Sequence, residues 1–201
     1  MMKPAATAFV ALSLCLVAGC NRGAANNSAA ANVVHNSPAP AANVSANAVA
    51  PAANGTRLAL LPNGLEAIEA NGRRDTLAFG SPVTTAIAGL TVMYGAPMAD
   101  EVNSDCGAGA TRIVRWSNGL RILAQNDQVQ GWEVSAPGIY ALGDLQVGMT
   151  RAQLEANHAS FEQSSLGTEW TVGDGDQTVS GLLGDDGNVR AMWAGLTCHM
   201  T

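Results

Sequence analysis

TRIVRWSNGLRILAQNDQVQGWEV, residues 111–134, alternates apolar and polar side chains in three short runs. Thr111–Trp116, Gly119–Leu123 and Val129–Val134 each show the period of two that a strand with one buried face requires, and Gln125-Asn126-Asp127 supplies a turn. Runs this close together pair as an antiparallel meander. A second set repeats the order: Glu169–Val172, a turn at Gly173–Asp176, Thr178–Leu183, a turn at Asp185–Asn188, then Val189–Trp193. Ahead of the first set, Ser81-Pro82 followed by Val83, Ile87, Leu90 and Tyr94 predicts a helix capped by Ser81 and ended by Gly95 and Pro97. Ahead of the second, Thr150 and Gln153 form a capping box for a helix bearing Leu154, His158 and Phe161. Each helix follows a short apolar stretch, Leu77–Gly80 or Leu145–Gly148.

These patterns predict an α+β fold: two tandem strand-helix-three-strand repeats, about 77–135 and 139–198, with the helices packed on antiparallel sheet. In that alignment Ser81 matches Thr150 at an offset of 69, Trp116 matches Trp170 at 54 and Trp132 matches Trp193 at 61. Pro97–Ala110, which contains Cys106, reads as an insertion in the first copy. Leu58–Leu61 and Leu65–Ile68, around Pro62-Asn63-Gly64, read as a leading hairpin. The tryptophans are expected to fill the core, with a ligand platform as the alternative, because large rings are scarce in this chain.

The N-terminal end follows different rules. Met1-Met2-Lys3 is a short positive start, and Ala5–Ala18 is apolar except for Thr7 and Ser13, which is the layout of a secretory signal. Val17-Ala18-Gly19-Cys20 resembles the lipobox of bacterial lipoproteins. The resemblance implies that residues 1–19 are a signal peptide removed in processing, that Cys20 carries diacylglycerol, and that its new amino group carries a fatty-acyl chain such as palmitate. It further implies an anchor at the periplasmic face of the outer membrane, since Asn21 is not the aspartate of inner-membrane retention. An ordinary signal peptide with a chance cysteine is the alternative. Residues 20–55 then read as a tether. Positions 21–55 hold 13 Ala, 8 Asn, three prolines and a single charge, Arg22, which is too little apolar surface to offset ordering.

Residues 56–201 have the length of one domain. They carry all 16 acidic residues against eight arginines, a formal charge of −8, and no lysine. That sign excludes a nucleic-acid partner and leaves the lipid as the membrane contact. With Cys15 in the leader and Cys20 lipidated, Cys106 and Cys198 remain, an even pair that in an exported chain reads as one disulfide. Two free thiols are the alternative.

No motif for catalysis, cofactor binding or a metal emerges. Asp174, Asp176, Thr178 and Asp185 have part of a calcium-loop spacing, but Val179 stands where glycine is needed and position 12 is not glutamate. His158 reads as a half-buried helix residue, and His199 neighbours Cys198. Leu145–Leu154, LQVGMTRAQL, and Phe79-Gly80-Ser81 resemble outer-membrane lipoproteins of the SmpA/OmlA (BamE) type, and in tandem β-lactamase-inhibitor-like folds; the pattern around Cys106 and Trp193–Cys198 resembles uncharacterised exported proteobacterial proteins. The expected function is a lipid-anchored envelope module that binds an envelope protein, in assembly or in inhibition of an envelope enzyme, without catalysis. The alternative is an envelope hydrolase.

Overall fold

The computed structural model describes residues 55–198, which form twelve strands and two short helices. Residues 1–19, Cys20, the tether through Asn54, and His199 lie outside them. β1 (Arg57–Leu61) and β2 (Gly64–Ile68) make the expected leading hairpin across Pro62-Asn63, and β3 (Arg74–Ala78) extends it. At Gly64 the neighbouring strand approaches so closely that a Cβ would strike the Leu77 carbonyl, so only glycine fits.

α1 (Val83–Tyr94) starts differently from the expectation. Pro82, not Ser81, is the cap residue, and no side chain caps the helix. The Val83 N–H instead donates to the Asp127 carbonyl at 2.9 Å, so backbone from a distant turn satisfies a helix-end donor. Gly95, at φ 82°, ends the helix with its N–H on the Thr91 carbonyl. β4 (Ala99–Asn103), β5 (Thr111–Arg115), β6 (Leu120–Gln125) and β7 (Gln128–Val134) follow as an antiparallel meander. Asn126 and Asp127, both left-handed at φ 51° and 58°, form the two-residue turn between β6 and β7.

β8 (Tyr140–Ala141) pairs in parallel with β1, completing a small sheet of order β3-β2-β1-β8. α2 (Arg151–Ala156) has the expected capping box between Thr150 and Gln153. β9 (Ser160–Ser164), β10 (Gly167–Val172), β11 (Val179–Leu183) and β12 (Val189–Gly195) form a second meander. β12 pairs antiparallel with β7, which joins the meanders into one sheet of order β4-β5-β6-β7-β12-β11-β10-β9.

The α+β expectation of strand-helix-three-strand repeats is therefore wrong. The described chain is mostly β, and each half of the large sheet has four strands. The stretch Pro97–Ala110 is no insertion, because β4 lies within it. Its residues, Ala-Asp-Glu-Val-Asn, are weak strand formers except for Val102, and they hold an edge through cross-strand pairs: Arg112 grips Asp100 at 2.7 and 2.8 Å, and Arg115 meets Glu101. The Arg112 hydrogen bonds hold the Asp100 carboxyl below its usual range. β9 was hidden in the same way. The second helix stops at Ala156, His158 turns the chain at φ 60°, and Phe161 lies on a strand rather than on the helix. β3, the strand before α1, belongs to the small sheet and not to the meander it precedes.

One backbone contact recurs in both halves. Gly80 N–H donates to Val129 O and Val129 N–H to Ser81 O; likewise Gly148 N–H donates to Val189 O and Val189 N–H to Met149 O. Each helix entrance is thus sealed to the start of the last strand of its meander. Ser81 to Met149 is an offset of 68, and Val129 to Val189 is 60. By the latter, Trp132 corresponds to Met192 rather than Trp193, and a one-residue slip in a strand exchanges its faces. Trp132 is fully buried on the face toward the small sheet, with its indole N–H on the Leu61 carbonyl at 2.7 Å. Trp116 and Trp170 share the same core, whereas Trp193 is buried on the opposite face, across from Glu133.

Candidate functional site

Strand alternation and the pairing registers define the outer face of the large sheet, the side away from the Trp132 core. One row crosses all eight strands: Ala99, Arg115, Arg121, Glu133, Trp193, Ser180, Thr171, Ser160. At about 4.8 Å per strand the row is wide enough for a protein partner.

Half of this face is covered by the chain itself. Gly195, at φ 71°, turns the end of β12, and Leu196 settles onto Gly131, where a Cβ would collide with the Leu196 backbone. The segment continues to Cys198, whose sulfur is bonded to that of Cys106 with the Cα atoms 5.0 Å apart. The structure therefore joins the expected pair, and it ties the β4–β5 loop to the end of β12. Ile113, Leu123 and Cys106 are buried around this strap. Beside it Arg121 donates to Glu133 at 2.8 Å, with the Glu133 side chain only 8% exposed. The sequence marks Arg121 as an outward strand position, but the pair makes it a structural residue, because a buried carboxylate needs its partner.

The open part lies toward β9 and β10, where Ser160 and Glu162 are exposed and Glu169 and Thr171 half-buried, while Leu182 of β11 is buried. Thr171 and Ser180 share a hydrogen bond of 3.0 Å, and Ser160 lies beside them in the row. One step along the strands, Glu169 stands directly opposite Glu162 on the same face, and Leu182 flanks Glu169 on its other side. Neither glutamate has a cation partner among the described residues. Like charges directly opposed across a ladder are mildly destabilising, so an external cation has a place between these two side chains.

No protein-family model, curated protein or solved structure matches this chain. Its site is accordingly built from its own residues. Asp174 and Asp176 lie in the β10–β11 turn, while Asp185 lies beyond the far end of β11, so the strand separates them. Among the described residues no three His, Cys, Asp or Glu side chains gather as a metal site. His158 is exposed in the turn after α2, off the helix face on which it was expected. Tyr94, whose phenol burial pushes up to about 12, lies against the core. The glutamate pair was not read from the sequence, because its two members fall on strands whose register only the β9–β10 pairing sets.

Proposed function

We propose that this chain is a lipid-anchored binding protein of the cell envelope, held through Cys20 at the periplasmic face of the outer membrane. It acts by binding rather than catalysis, and the open face of β9 and β10 docks a basic surface on an envelope protein. The observation that carries this reading is the opposed Glu162 and Glu169, with two hydroxyls beside them on a wide sheet face. A lysine or arginine placed between the two carboxylates relieves their repulsion and gains charge-assisted hydrogen bonds.

The test separates binding from folding. Replacing both glutamates by glutamine, Glu162→Gln with Glu169→Gln, is expected to raise stability by about 0.2–1 kcal/mol, because the repulsion disappears. The same variant is expected to lose the crosslinked partner that wild-type protein captures from intact envelopes. An unchanged crosslinking pattern in the stabilised variant overturns the docking surface.

The anchor has its own test. Cys20→Ala is expected to abolish incorporation of a fatty-acid analogue in metabolic labelling and to leave the protein unprocessed or free of the membrane. Label that persists in Cys20→Ala rules out acylation at this cysteine.

A further inference from the structure

A groove of about 390 Å³ runs between the small sheet and α1, on the core side of the molecule and separate from the outer face. α1 packs over β7 and leaves the small sheet uncovered at one end. The helix side of the groove carries Leu90, Val92 and Met93 beside Thr85, Ala86 and Gly89, and it is lowest at Gly89, where an added Cβ meets nothing within 4 Å. The sheet side is ordered along its length by the registers. At the deep end Leu65 faces Leu77; toward the mouth Leu58 and Ala67 follow, and Ala67 pairs with Asp75. Glu69 continues the same face beyond β2, so the mouth is acidic. Arg73 bridges the two carboxylates from outside at 2.9 and 3.5 Å with its side chain 63% exposed, which leaves one negative charge in excess there.

A trough lined mainly by apolar side chains, with threonine hydroxyls as the polar groups between its carboxylate ends, favours hydrocarbon over water. By proportion to the ~150 Å³ cavities that take benzene, this volume suits an aliphatic chain of about ten carbons or slightly more. A carboxylate at the end of that chain meets Asp75 and Glu69; an ammonium complements them.

The geometry points to a binding site for a single-chain aliphatic amine, with its hydrocarbon between Leu65, Leu77 and the Ala86-Gly89 side of α1 and its ammonium at Asp75 and Glu69. The site is independent of the outer face and of the anchor at Cys20.

Titration calorimetry with decylammonium, decanol and decanoate, each below its micellar concentration, tests it on the folded domain. Decylammonium is expected to bind saturably at one site, about tenfold more tightly than decanol, with decanoate weakest. Ala67→Leu and Gly89→Leu fill the trough from its two sides, and each is expected to weaken decylammonium at least tenfold. Gly89→Leu also favours the helix, so lost binding in a variant that melts no earlier than wild type reports the groove and not unfolding. Asp75→Asn is expected to erase the preference for the amine over decanol, and Arg73→Ala, which removes the competing cation, to strengthen amine binding severalfold. Absence of saturable amine binding, equal affinity for decanoate, or wild-type affinity in both groove-filling variants overturns the site.

Discussion

Trp132→Ala is expected to lower the free energy of unfolding by about 5 kcal/mol. Truncating a fully buried tryptophan costs roughly 3–5 kcal/mol through lost transfer energy and the cavity left behind. Here the indole also donates to the Leu61 carbonyl, and the orphaned acceptor adds about 1–3 kcal/mol where it stays dry. Leu61 is the last residue of β1, so this bond fastens the small sheet to the large one, and its loss also loosens the hairpin that β3 and β8 flank. Trp132→Phe isolates the polar part, since a ring remains while the donor is gone; its expected cost is about 1–3 kcal/mol. Urea unfolding followed by far-ultraviolet circular dichroism reads both. A loss below about 1 kcal/mol in Trp132→Ala contradicts a core organised around this residue. For a domain with the usual stability of about 5–15 kcal/mol, a loss of this size removes about a third of it or more.

The same tryptophan shows how far the sequence reaches. The runs from Thr111 to Val134 and from Glu169 to Trp193 announce their strands by alternation, and the structure places β5–β7 and β10–β12 there. Thr150 and Gln153 announce the α2 cap in the same direct way. Register is another matter. Matching Trp132 to Trp193 is natural by residue type, yet the helix-entrance hydrogen bonds match it to Met192, and the slip of one sends Trp193 to the other face. The edge strands were illegible for a physical reason. β4 and β9 bury little, so they carry no apolar period, and their polar residues are what a sheet edge requires. Without those two strands the helices took too large a share of the predicted fold, and the α+β expectation followed.

The candidate site inherits this limit. Glu162 and Glu169 are seven positions apart with a turn between them, a spacing with no meaning until the hairpin aligns them. Cys106 and Cys198 needed no register, since only two cysteines remained once the leader and Cys20 were set aside. The groove was equally hidden, because Ala67, Asp75 and Gly89 come from three elements and carry no motif. Alternation alone places Arg121 and Arg190 outward; the register agrees for Arg121, which Glu133 pins, whereas Arg190 falls at the β11–β12 irregularity with its guanidinium on the Leu166 carbonyl.

Replacing Cys106 and Cys198 together by serine is expected to lower stability by roughly 4 kcal/mol, near the figure for closing a loop of this length in the chain-entropy model. The two residues are 92 positions apart, so the bond removes most of the freedom of the unfolded domain between β4 and the end of β12. A native-state term acts in the same direction. Without the bond nothing covalent holds the Gly195–Cys198 strap over Gly131, and water gains access to Leu123 and Ile113, both buried beneath it. The core beneath α1 lies on the other face and does not depend on the strap. Hydrogen exchange is therefore expected to rise first in β5 and β6, on the side of the strap, while β10 and β11 stay protected. Alkylation read by intact mass supplies the companion test: wild-type protein isolated without reductant should show no reactive thiol at either position until reductant is added. Two thiols already reactive, or serine variants as stable as wild type, would remove the disulfide from the account of what holds the strap, and with it the reason that only half of the outer face is open.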